Sequence, residues 1–214
     1  MSSLVNFREV AKKIVCVGRN YVEHAKELGN AVPKVPMIFL KSTNSLVGEE
    51  GEVRIPPGCN DLHQEVELGV IIGKLASQIT KEKAMDYVAG YTIALDMTAR
   101  DFQDEAKKNG APWFLAKSFD TSCVIGDFIP KEKIPNPQAV EIYCLINGKP
   151  QQRCSTDKMI FDIPTLISYV SKYATLNVGD VLLTGTPSGV TRVVSGDIIT
   201  FGITDITEAK IKVA

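Results

Sequence analysis

The sequence predicts an α+β fold dominated by mixed sheet, and three observations carry that prediction. Eight short runs rich in Val, Ile and Leu recur along the chain. Only three segments read as helix, and they do not alternate regularly with the apolar runs, which argues against a doubly wound parallel sheet. Glycine and proline, 16 and 11 of 214 residues, interrupt the runs often enough to keep most of them short.

Residues 1–12 read as an N-terminal leader and residues 13–214 as one domain. Arg8, Lys12 and Lys13 against Glu9 fit either the remnant of a transit peptide or a polar leader with one helical turn. KIVCVG (13–18) is the first strand. YVEHAKELG (21–29) follows as a helix that Gly29 can stop. Strands then fall at PMIFLKS (36–42), VELGVIIG (66–73) and YTIALDM (91–97). Thr98 can cap a helix over 98–109 that ends before Gly110. KIPNPQ (133–138) is a proline-punctuated loop, and VEIYCLING (140–148) is a strand. Pro164 suits the first turn of a helix over 164–173. The chain closes on strands at 180–185, 197–203 and 209–214.

Lys and Arg number 24 against 25 Asp and Glu, so the basic excess of a nucleic-acid binder is absent. The five cysteines contain no CxxC pair, which removes zinc ribbons and thioredoxin motifs. Their odd number predicts reduced thiols in a reducing compartment. No stretch approaches the ~20 apolar residues of a membrane-spanning helix. The expected partners are small molecules or protein surfaces, with neither nucleic acid nor membrane.

Read as a strand, His63–Ile72 puts Glu65 and Glu67 on one face, because strand side chains alternate. Two carboxylates beside an apolar run repel each other unless a cation neutralises them. Asp96 closes a second apolar strand and adds a third acid. With no His or Cys at ligand spacing, the three form an all-oxygen set that selects Mg²⁺, with Mn²⁺ as the alternative. Against this stands the plainer reading of an acidic, solvent-facing edge strand. His24 and Glu27, three apart on a helix, occupy one face. There a carboxylate can fix the imidazole tautomer and raise its basicity. A solvated polar pair is the competing reading. His63 precedes the acidic strand as a supporting or surface residue.

Thr184–Gly189 follows an apolar strand and is neither a Walker loop nor a nucleophile elbow. It reads as a plain turn or as a cradle whose free N–H groups and Thr hydroxyl hold a small carboxylate. Lys117, Lys41 and Arg19 are cations in or beside apolar runs. Such charges either snorkel or sit around an acidic metal site that takes a dianionic substrate.

Taken in order, Gly18-Arg-Asn-Tyr21 with His24, Phe39-Leu-Lys41, Glu65-Val-Glu67, Asp96-Met-Thr-Ala-Arg100-Asp101, Lys117-Ser-Phe119 and Leu183-Thr-Gly-Thr-Pro-Ser-Gly189 resemble the fumarylacetoacetate hydrolase family. The resemblance covers nearly the whole chain and is nearest to the short, single-domain acylpyruvase and oxaloacetate decarboxylase branch of animal mitochondria. It implies a mixed β-sheet roll with a few short helices, a homodimer, and a mitochondrial setting with the cytosol as a second. It also implies a divalent ion on Glu65, Glu67 and Asp96, and a lid helix bearing a catalytic His24–Glu27 dyad. Gln103 and Lys117 would contact substrate oxygens, and Thr186, Arg19 and Lys41 would bind substrate. The activities implied first are hydrolysis of acylpyruvates to pyruvate and a carboxylate, and decarboxylation of oxaloacetate. The alternatives are an oxaloacetate keto–enol tautomerase and, in another class, a non-catalytic metal- or oxo-acid-binding regulator.

Overall fold

Alternation decides where each strand lies. In strand Ile14–Gly18, Val15 and Val17 pack into one core cluster, while Ile14 and Cys16 pack into a second on the opposite face. Strand Val66–Ile72 divides the same way, with Val66, Leu68, Val70 and Ile72 on the first face and Ile71 on the second. Strands covered on both faces read as unbroken apolar runs, which is why these stand out in the sequence.

The computed structural model describes residues 4–27, 29 and 31–214. Its largest sheet runs Met37–Lys41, Ile14–Gly18, Val181–Leu183, Val66–Ile72, Val88–Asp96, Cys123–Ile125, Leu46–Val47, with Ile129–Pro130 added on Val88–Asp96. Pairing is mixed: Ile14–Gly18 is parallel to Val181–Leu183, which is antiparallel to Val66–Ile72. A five-stranded sheet runs Lys149–Ser155, Glu141–Ile146, Ile198–Ile203, Thr207–Val213, Glu52–Val53. A small third sheet joins Thr191–Val193, Leu62–Gln64 and Thr98–Ala99. The larger cluster draws on both main sheets and on a helix. It gathers Leu68 and Val70 with Ile142, Phe201 and Ile211 of the second sheet and Leu166 and Ile167 of the helix. The α+β class and the mixed, curled sheet are as expected.

Helices α1 (Phe7–Val10), α2 (Val22–Glu27), α3 (Arg100–Asn109), α4 (Phe114–Lys117) and α5 (Ile163–Ser171) are short. Asp162 caps α5 by accepting from the Thr165 N–H at 2.9 Å, with Pro164 in the first turn. Thr98 does not cap α3. It belongs to the small sheet, its hydroxyl donates to the Asp96 carbonyl, and α3 starts at Arg100 without a side-chain cap. The expected helix over 21–29 corresponds to α2, with residue 28 outside the described residues. Within the segment read as a leader, Phe7 of α1 is buried in the second cluster, and residues 1–3 lie outside the described residues. Among the described residues, no helix is long and apolar enough to cross a membrane.

Candidate active site

Strand pairing brings the three acids together. The Asp96 N–H donates to the Glu65 carbonyl at 2.8 Å, and Glu67 lies opposite Ala94 on the same pair of strands. One carboxylate oxygen from each of Glu65, Glu67 and Asp96 lies within 4.8 Å of the others. All three side chains are buried, Glu67 to 1% and Asp96 to 0% exposure. Val66–Ile72 is an interior strand between Val181–Leu183 and Val88–Asp96, so the solvent-facing edge reading fails.

Three cations surround the acids. Lys117 Nζ donates to Asp96 Oδ2 at 2.7 Å and to Glu65 Oε2 at 3.0 Å. Arg100 Nη2 reaches Glu65 Oε1 at 2.5 Å, and its Nη1 donates to Gln103 Oε1 at 2.8 Å. Lys41 Nζ stands 2.8 Å from Asp96 Oδ1 as an ion pair. The same ammonium also donates to the Met97, Lys117 and Ser122 carbonyl oxygens, and Asp96 Oδ1 is buried with this ion pair and no further hydrogen bond.

Burial alone would raise the Glu65 pKa, but Lys117 and Arg100 hold it below the ordinary carboxylate range. Glu67 accepts from the Gly185 N–H at 2.6 Å, and among the described residues no cation is bonded to it. Burial, reinforced by the Asp96 and Glu65 charges, pushes its carboxyl well above that range. Burial would lower Lys117, yet the Asp96 and Glu65 carboxylates raise it. A divalent ion among these oxygens would give buried Asp96 Oδ1 a contact beyond its Lys41 ion pair and supply the charge that Glu67 needs. An all-oxygen set of this kind fits a hard cation.

Helix α2 covers the acids. His24 is buried and lines the same cavity as Glu65, Glu67 and Asp96. Its Nδ1 lies 3.0 Å from Glu27 Oε2, and the Gly189 N–H donates to Glu27 Oε1 at 2.9 Å. The turn after Val181–Leu183 does hold carboxylates, but they are the chain's own, Glu67 on the Gly185 amide and Glu27 on the Gly189 amide. The Thr186 hydroxyl accepts from Gln152 Nε2 at 2.8 Å and faces the cavity. Arg19, Gln103 and Lys117 also line it. Arg19 holds φ at +57°, a strained conformation for a side chain of its size.

Lys41 does not line the cavity; its ammonium is enclosed behind Asp96. Glu27 reaches the cavity only through His24. His63 lies apart, paired with Asp61 at 3.0 Å. Sequence reasoning gave no role to three residues that the fold brings in. Arg100 binds Glu65 from the first turn of α3. Gln152 accepts from the Val66 N–H at 2.9 Å and donates to both Thr186 and the Pro187 carbonyl, tying the acid strand to the turn. Buried Asn20 acts similarly, donating to the Thr184 and Phe161 carbonyls.

A sequence profile described as the fumarylacetoacetate (FAA) hydrolase C-terminal family matches residues 13–214. The chain belongs to the fumarylacetoacetate hydrolase family. A mitochondrial oxaloacetate tautomerase of Caenorhabditis elegans is 66% identical over 213 residues, all of both chains. A mitochondrial oxaloacetate decarboxylase of Dictyostelium discoideum is 51% identical over 94% of this chain and 92% of its own. Within the family, the crystal structure of fumarylpyruvate hydrolase from Pseudomonas aeruginosa, in complex with Mn²⁺ and pyruvate, superposes with a TM-score of 0.91. It is 33% identical over 95% of this chain and 90% of that one.

Proposed function

We propose that this chain is a divalent-metal-dependent enzyme that interconverts the keto and enol forms of oxaloacetate. The observation that carries the reading is buried His24, which lines the same cavity as Glu65, Glu67 and Asp96 and is paired on its outer side with Glu27. Those three acids would hold a Mg²⁺ or Mn²⁺ ion. When bound, such an ion supplies a Lewis acid for the oxygens of a 2-oxo acid. With all three ionised, the acids face Lys41, Lys117 and Arg100, so a divalent ion leaves an excess of two positive charges. A dicarboxylate cancels that excess.

His24 is the acid–base group. Glu27 accepts from Nδ1–H, which leaves Nε2 to take the proton from C3 of the keto form and deliver it to the C2 oxygen to give the enol; the reverse order regenerates the keto form. Lys117 and Gln103 donate hydrogen bonds to the oxygen on which charge develops. The Thr186 hydroxyl keeps its own proton for a substrate carboxylate, and Arg19 adds positive charge at the wall. The cavity measures about 40 Å³, room for a few waters at roughly 10–15 Å³ each. Helix α2, which carries His24 at the cavity wall, would act as a lid over bound substrate.

Hydrolysis of acylpyruvates and decarboxylation of oxaloacetate, the activities that the resemblance put first, form the second reading. The relatives named decarboxylase and fumarylpyruvate hydrolase favour it. In hydrolysis, His24 would deprotonate a water instead of C3. A mitochondrial location, carried in the names of the relatives, belongs to the same proposal. So does a homodimer, which exposed Phe114 and Leu115 on α4 support.

Enol oxaloacetate offered to the protein with Mn²⁺ separates the readings when enol loss and pyruvate release are followed together. The tautomerase consumes enol without pyruvate and stops in EDTA. His24→Ala slows it by about 10²–10⁴-fold while leaving Mn²⁺ affinity intact. Pyruvate appearing as fast as enol disappears would move the protein to the second reading, and no turnover of either kind to a binding-only role.

A further inference from the structure

A lysine head group has three N–H donors, yet five oxygens lie within 3.1 Å of Lys41 Nζ. They are Lys117 O at 2.5 Å, Ser122 O at 2.8 Å, Met97 O and Ser122 Oγ at 3.1 Å, and Asp96 Oδ1 at 2.8 Å. The side chain is fully enclosed, with 0% exposure. These oxygens come from three places that the fold brings together: the end of strand Val88–Asp96, the end of α4, and the residue before strand Cys123–Ile125. Carbonyl oxygens arranged about one charge are how proteins replace the hydration shell of a monovalent cation.

We propose that Lys41 is a tethered monovalent cation: its head group fills an oxygen cage behind Asp96 and positions both Asp96 and Lys117 for the cavity. The proposal rests on reading Glu65, Glu67 and Asp96 as a divalent-ion site. A charge needed only to neutralise Asp96 would make one contact. Lys41 instead gathers the carbonyls of Met97, Lys117 and Ser122, and the Ser122 hydroxyl also donates to the Lys117 carbonyl at 2.9 Å. The backbone of Lys117 is thereby fixed by one ammonium, while its own ammonium spans Glu65 and Asp96 in front. Asp96 sits between the two lysines, so its orientation depends on the cage behind it. Lys41 never reaches substrate. Remove its stem and the cage becomes a binding site for a free cation of the same size, ammonium first and potassium next.

Mn²⁺ binding by Lys41→Ala, measured calorimetrically at matched ionic strength in tetramethylammonium, potassium or ammonium chloride, tests this. In tetramethylammonium, which is too large for the cage, affinity should fall by about 10–100-fold. Ammonium should restore most of it and potassium part, while the native chain responds to none of the three. Lys41→Met, which fills the cage with an uncharged stem, should show the loss without the rescue. Native-like Mn²⁺ affinity in tetramethylammonium, or a loss that ammonium leaves unchanged, would overturn the proposal. Should Lys41→Ala be unfolded in tetramethylammonium, its thermal transition becomes the readout. Folding regained in ammonium supports the cage, and an unfolded chain in both salts refutes it. None of these measurements uses oxaloacetate, so they succeed or fail separately from the catalytic reading.

Discussion

Glu67 and Glu65 stand two residues apart on one strand, yet their surroundings drive them in opposite directions. Glu65 has Lys117 and Arg100 against it, whereas Glu67 has one backbone amide and two neighbouring acids. The consequence for stability has a definite sign. In the metal-free chain, folding raises the Glu67 pKa, so the folded state holds a proton there that the unfolded state releases. Stability therefore falls as pH climbs from the ordinary carboxyl value towards the raised one. Glu65, lowered by folding, adds stability that is complete above the ordinary value and lost only below it. A divalent ion removes the penalty at Glu67 by displacing its proton. The rise in melting temperature caused by Mn²⁺ should thus grow as pH climbs above the ordinary carboxyl value. Thermal scans in Mn²⁺ and in EDTA measure it, and an increment that shrinks with pH would be inconsistent with a protonated Glu67.

The turn at 184–189 is the element on which the site depends, because one short stretch of backbone holds an acid from the sheet and an acid from α2. Gly185 adopts φ +98°, and a Cβ there would lie 2.7 Å from Asn20 Cβ. Gly185→Ala should cost at least about 1–3 kcal/mol from backbone strain alone. It should also weaken Mn²⁺ binding as the Glu67 contact is lost, to be read by urea unfolding and calorimetry. Unchanged Mn²⁺ affinity would mean that the turn does not position Glu67.

Much of this level was legible in the sequence, for physical reasons. Glu65 and Glu67 follow from the period of two, and His24 and Glu27 from helical spacing. Arg100 received no role, because in the polar first turn of α3 it reads as an ordinary surface cation, without the apolar neighbours that single out Lys117. Gln152 lies on Lys149–Ser155, a sheet-edge strand whose partly exposed residues give no apolar signal. The sequence left Lys41 as a snorkelling cation or one near the acids, and the resemblance made it a substrate contact; only the fold places it behind Asp96, away from the cavity.

For the whole molecule, the central sheet has to be covered on both faces, since strands such as Ile14–Gly18 and Val66–Ile72 are apolar on each. The five-stranded sheet and α5 cover one face; on the other, Phe7 joins Ile14, Cys16, Ala94 and Leu183. The same second face carries Glu67, so the site is built into the smaller cluster. Phe7→Ala should lower unfolding free energy by about 3–5 kcal/mol, measured by urea denaturation. A cost below about 1 kcal/mol would show that α1 adds little to the fold.

The most direct measurement is an anomalous difference map from crystals of the protein soaked in Mn²⁺. The expected result is one strong peak bounded by the carboxylates of Glu65, Glu67 and Asp96, beneath His24. A map with no peak there, while those carboxylates stay bonded to Lys117, Arg100 and the Gly185 amide, would contradict the account.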